Sequence, residues 1–83
     1  VTTAQQIRAG RALVNMGQKD LADAADIAVA TLRRMESDDV GPERSSFAAV
    51  EKVREVLVRA GVIFLDDGSN VEGGAGVRLR KGE

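Results

Sequence analysis

The sequence predicts a mainly α fold: four helices over residues 3–60, then a C-terminal β-hairpin over residues 61–83, together forming one domain. Three observations carry this expectation. Up to residue 60 the apolar residues recur at three- and four-residue spacings, the period of helices with one buried side. Helix-starting residues, Thr3 and the pair Ser45-Ser46, stand ahead of two of those runs, and Gly61 closes the last. Beyond Gly61 the pattern changes, because Val62-Ile63-Phe64-Leu65 is β-branched and aromatic and Val77-Arg78-Leu79-Arg80 alternates apolar with charged.

Composition narrows the function. Hydrophobic residues are 43% and charged residues 30% of the chain, the balance of a globular protein. No run is long enough for a membrane span or secretory signal, so a cytoplasmic location is expected. The absence of Cys and His removes disulfides, thiolate-zinc sites, imidazole bases and thiol nucleophiles, so no catalytic residue, metal ligand or cofactor is expected. The only aromatic residues are 2 Phe, too few for a single-strand binder that stacks bases on rings.

A net charge of −1 and a pI near 5.4 do not announce a nucleic-acid binder. Distribution matters more than the sum. Basic residues fall at Arg8, Arg11, Arg33, Arg34, Arg44, Arg78, Arg80 and Lys81, and acids gather at Asp38, Asp39, Asp66 and Asp67. A fold that separated them would present one basic and one acidic side. A chain this short buries a modest fraction of its surface, which favours a homodimer.

The first helix is capped by Thr2 or Thr3, with Gln6 completing a capping box behind Thr3. Ile7, Leu13 and Met16 supply its buried side. Gly10 costs a helix up to about 1 kcal/mol against Ala, so either another backbone approaches there or the helix bears the loss. Asn15-Met16-Gly17 ends the helix, and the next starts at Gln18.

From Gln18 to Glu36 the chain reads QKDLADAADIAVATLRRME. Leu21, Ala22 and Ala25 line one side of a short helix; after a tight corner, Ile27, Leu32 and Met35 give a second short helix its buried side. Val29, Ala30, Arg33 and Arg34 share a different face, free to meet a partner. Two short helices, a brief turn and a basic outer face are what a helix-turn-helix needs, since its second helix must be held from behind while its front enters a groove.

These residues carry a resemblance. Ile7 to Glu36, with Gln18 heading the second helix, the Leu21-Ala22 pair and the segment Thr31-Leu32-Arg33-Arg34-Met35-Glu36, resembles the lambda-repressor-like (Cro/CI, XRE) helix-turn-helix family of bacterial and phage transcription regulators. The likeness extends over residues 3–60. The tail, with Ala60-Gly61-Val62, an apolar strand, a Gly-rich turn and Gly76-Val77-Arg78-Leu79-Arg80, is similar to that of small stand-alone regulators of this type.

The resemblance implies site residues. Gln18 becomes a phosphate contact, its ordinary alternative being an exposed helix-starting Gln. Val29 and Ala30 fall where the family presents side chains to base edges; there they can pack on a thymine methyl but cannot make a bidentate contact. Thr31 bonds a phosphate or a base, or folds its hydroxyl back onto its own helix. Arg33 and Arg34 divide base and phosphate contacts, with Arg34 favoured for bases, since a guanidinium forks onto guanine O6 and N7. Arg44, with Ser45 at the start of the last helix, would hold a second phosphate or be an ordinary cap beside a surface charge. Glu36 resembles the residue that pairs with an arginine of the first helix, here Arg11, a structural role.

Three residues depart from the family pattern: Asp26 where the turn usually has Gly, Ala28 where Ser or Thr usually caps the recognition helix, and Gly17 where Ser usually caps the helix before it. Asp tolerates the left-handed corner conformation, and each missing cap costs about 0.5–2 kcal/mol, so a less stable monomer is expected rather than a different fold.

Ser37 to Arg44 reads as a loop, and Ser45 or Ser46 caps a helix running to Ala60. Val50, Val53 and Leu57 form its core stripe, while Phe47, Val56 and Val58 widen it beyond one core face, which points to a partner helix. The connector from Asp66 to Gly76 is too polar and Gly-rich to hold a fixed shape. The hairpin should therefore pack on the last helix or pair with its counterpart in a second chain. Arg78 and Arg80 either touch the DNA backbone or form a charged outer face.

The expected function is that of a homodimeric, sequence-specific regulator of double-stranded DNA, a repressor rather than an activator. Its two recognition helices would enter successive major grooves about 34 Å apart on a pseudo-palindromic operator. With no room for a sensor domain, any signal would come from synthesis, proteolysis or a protein partner. The alternative is a protein-interaction adaptor, antitoxin-like or regulator-binding, on the same fold.

Overall fold

A computed structural model of the chain describes residues 2–67 and 72–81. Among them are four α-helices, α1 (Ala4–Leu13), α2 (Gln18–Ala24), α3 (Val29–Met35) and α4 (Phe47–Arg59), and an antiparallel pair of strands, β1 (Val62–Leu65) and β2 (Gly76–Leu79). A short 3₁₀ turn, Pro42–Arg44, interrupts the segment read as a plain loop. Part of the Gly-rich connector expectation falls on residues 68–71, outside the described residues.

Helix α1 begins as its first residues dictate. Thr3 accepts from the Gln6 backbone N–H at 3.1 Å, and the Gln6 side chain accepts from the Thr3 N–H at 2.9 Å, so two of the helix's unpaired donors are satisfied reciprocally. The helix closes with Asn15 at φ 55. There the N–H of Met16 reaches back to the carbonyl of Arg11 and that of Asn15 to Ala12, the paired bonds of a Schellman ending. Leu13 departs from the expected buried side and is 38% exposed. It lies six residues after Ile7, well off that residue's face, whereas Val14, seven residues after, returns to the face and packs on the core.

Ile7, Leu21, Ala22, Ala25, Leu32, Met35, Val50, Val53, Leu57 and Val62 form one buried cluster fed by every helix and by β1. Gly10 is where α1 meets that cluster most closely. A Cβ built there would lie 3.3 Å from Leu57 Cδ1 and 3.5 Å from Val62 Cγ1, so the absent side chain allows the close approach and offsets the lost helix propensity.

Ser46, not Ser45, caps α4, accepting from the Ala49 N–H at 3.1 Å. Gly61 ends that helix at φ 112, a conformation that strains any residue with a Cβ. The strands pair Val62 with Leu79, Ile63 with Arg78, Phe64 with Val77 and Leu65 with Gly76; β2 starts and ends one residue before the alternating run predicted. The hairpin lies against α1 as well as α4. The Gln6 Nε2 donates to the carbonyls of Leu65 (3.2 Å) and Gly76 (3.0 Å), and Arg54 of α4 stacks 4.5 Å over the Phe64 ring.

Candidate nucleic-acid interface

The candidate surface is built on the corner between α2 and α3. Ala25 ends α2, Asp26 takes φ 58, and the Ile27 and Asp26 N–H groups bond back to the carbonyls of Ala22 and Asp23 at 3.0 and 3.1 Å. This is a second Schellman ending with an Asp in the left-handed position, where its short polar side chain is tolerated. Ala28 then starts α3 in extended conformation with no side-chain cap, and Gly17 does the same for α2. Neither missing cap prevents the helix that follows.

α3 has two unlike sides. Leu32 and Met35 are fully buried, while Ala30, Arg33 and Arg34 are exposed. Val29 stands on the border, half-buried with one flank packed on the core, because it lies one helical turn before Leu32. Thr31 is half-buried, and its Oγ1 sits 3.4 Å from Arg34 Nη2. Arg8, Arg11, Lys19, Arg54 and Arg59 each pair with a carboxylate, whereas Arg33 and Arg34 pair with none among the described residues.

Behind α3 is a charged anchor. Glu36, 5% exposed, accepts from Arg11 Nε at 2.7 Å and Arg11 Nη2 at 2.8 Å. Arg11 Nη1 also donates to the carbonyl of Met16 at 3.0 Å. The expected Arg11–Glu36 partnership is therefore present and bidentate. Its hydrogen bond to the carboxylate, with the opposite charge adding, holds the Arg11 guanidinium above its ordinary pKa against the opposing effect of burial.

Gln18 joins the same cluster, its Nε2 donating to Glu36 Oε1 at 2.9 Å. It is half-buried, not the exposed Gln of the ordinary alternative. Arg8, which the sequence reading left without a role, donates to the Glu36 carbonyl at the end of α3 and to Asp38 at 3.0 Å. The signal was available: Arg8 and Arg11 are three residues apart on one helix face.

The 3₁₀ turn carrying Arg44 adjoins α3. Arg44 is exposed and Ser45 half-buried, while Asp39 and Glu43 on the same segment are exposed acids. The charges are thus interleaved here, and the Arg8–Asp38 and Arg54–Asp66 pairs bring basic and acidic residues together instead of sorting them to opposite sides. Arg78 and Arg80 are exposed on the hairpin. At the start of α4, Phe47 is 79% exposed beside a groove of about 440 Å³ lined by Pro42, Val50, Glu43 and Glu51 among others.

Among the described residues no helix is long and apolar enough to cross a membrane, and no three His, Cys, Asp or Glu side chains come together as a metal-binding group. Compared with known proteins, the chain matches no family model and no curated sequence.

Proposed function

We propose that this chain is a lambda-repressor-like helix-turn-helix protein that binds double-stranded DNA sequence-specifically, as a homodimeric repressor on a pseudo-palindromic operator. The observation that carries the proposal is α3 itself. Its rear is fixed by Leu32, Met35 and the Arg11–Glu36 pair, and its front leaves two guanidinium groups without a carboxylate partner. A rigid helix with unneutralised arginines facing outward suits entry into a major groove, where Arg34 reads guanine and Arg33 grips phosphate.

Arg44 and Ser45 extend the phosphate contacts from the adjoining turn. Gln18, held by Glu36, presents its remaining amide oxygen and the start of α2, and positions the motif as much as it binds. The dimer is favoured by the exposed apolar side chains Phe47, Val58, Ile63 and Leu79. Asp39 and Glu43 temper non-specific attraction, so affinity rests on few contacts and falls with salt on a shallow slope.

A second reading has its own observation. The exposed Phe47 and the acid-rimmed groove next to it favour a protein-binding adaptor on the same fold. Selection of duplexes from a random pool separates the two. The regulator enriches a two-fold-symmetric site that is bound more weakly as salt is raised; no enrichment, with no salt-dependent binding, leaves the adaptor.

A further inference from the structure

The outer face of α3 divides into two chemistries. Its last turn carries Arg33 and Arg34, the groups that form directed hydrogen bonds. At its start stand Ala28 and Ala30, both exposed, and half-buried Val29; none of the three can donate or accept through its side chain. The first hydrogen-bonding side chain, Thr31, lies beside Arg34. Ala30 has no rotamer to adjust, and Val29 is stiff at χ1 with one flank already packed on the core. This end of the helix therefore meets DNA as a fixed patch of methyl groups.

Resting on the DNA-binding reading above, we propose that at the base pair facing Ala30 the protein selects the C5 methyl group of a pyrimidine, irrespective of which pyrimidine carries it. In the major groove thymine differs from cytosine both by that methyl and by O4 in place of an amino group. A side chain without donors or acceptors cannot tell O4 from the amino group, but it packs on the methyl. 5-Methylcytosine offers the same methyl, so a methylated C·G pair satisfies this contact as T·A does. Arg34 fixes the register through its guanine. Base modification at this position then tunes binding without any change in the protein.

The test uses the full chain and the duplex recovered by random selection. At each thymine of the half-site in turn, four pairs are compared: T·A, U·A, 5-methyl-C·G and C·G. Within each couple only the methyl differs. The expected result is one position where removing the methyl weakens binding by the same factor in both couples, about fourfold, the value of burying one methylene-sized group. Ala30→Gln, at an exposed position that leaves the core intact, should abolish the methyl dependence in both couples and favour adenine, with unfolding unchanged. Equal binding of T and U at every position, a methyl effect confined to the T·A couple, a half-site without thymine, or a methyl factor that survives Ala30→Gln would each overturn the inference while leaving DNA binding standing. Failure to recover any duplex overturns both.

Discussion

Arg11 and Glu36 meet through two parallel N–H···O bonds of 2.7 and 2.8 Å, and between them they join α1, the connector after it and the end of α3. With side-chain exposures of 21% and 4%, neither can exchange its partner for water. Glu36→Gln keeps the shape and removes the charge, so the guanidinium is left largely buried and unpaired. The expected loss is about 3 kcal/mol of stability, read as a lower urea midpoint at unchanged slope. A loss under about 1 kcal/mol would mean that the pair behaves like a solvated surface bridge.

Gln6 serves three backbone groups at once: the Thr3 N–H and the Leu65 and Gly76 carbonyls. Gln6→Leu keeps the bulk and strands all three. We expect a loss of about 2–3 kcal/mol, with hydrogen exchange accelerating most in β1 and β2. Uniform acceleration across all helices would show that the hairpin does not depend on this side chain.

At Gly10 the neighbours are Leu57 and Val62, both in the core. Gly10→Val forces them apart and should cost about 2–3 kcal/mol, since overpacking is not relieved by a close-packed interior. Thermal unfolding checks it, and a stability equal to that of the parent would mean that α1 can slide away.

The α2–α3 corner stores strain that substitution can release. Asp26→Gly, at φ 58, should gain about 0.5–1 kcal/mol, because only glycine adopts that conformation freely. Ala28→Ser, at an extended N-cap position lacking a side-chain bond, should gain about 1 kcal/mol. Each is measured alone by denaturant unfolding, and a loss at either site would show that the corner is held by contacts the new residue disturbs.

On the proposed DNA surface the two arginines should behave differently. Arg34→Ala is expected to cost about 1–3 kcal/mol in operator affinity and to relax preference at one base pair. Arg33→Ala should weaken all duplexes alike and lower the salt slope by about 1. Titrations of operator and scrambled duplexes at several salt concentrations give both numbers; identical effects of the two substitutions would contradict the division of roles.

Much of the architecture is legible locally. The Thr3–Gln6 box, the stops at Asn15 and Gly61, the Val50-Val53-Leu57 stripe and the β-branched run at Val62 are each governed by residues within a turn or two of one another. The Arg11–Glu36 bond was legible only through the family likeness, since nothing in 25 intervening residues specifies which acid an arginine will reach. Leu13 was misplaced because the helix period was read one residue too loosely. Val29 looked outward by spacing from Ala30 and Arg33, yet it shares a stripe with Leu32 as well.

By itself the sequence determined the four helices among the described residues, the hairpin and which sides of α2 and α3 turn inward, because helix period, caps and turn residues act over a few positions. Only the tertiary structure decided that Gln6 would hold the hairpin, that Gln18 and Arg8 would join Glu36, and that Arg33 and Arg34 would remain without carboxylate partners among the described residues. Those outcomes depend on which distant groups the packed core brings within about 3 Å, the reach of a hydrogen bond, and that reach is set by the assembled helices and not by any one of them.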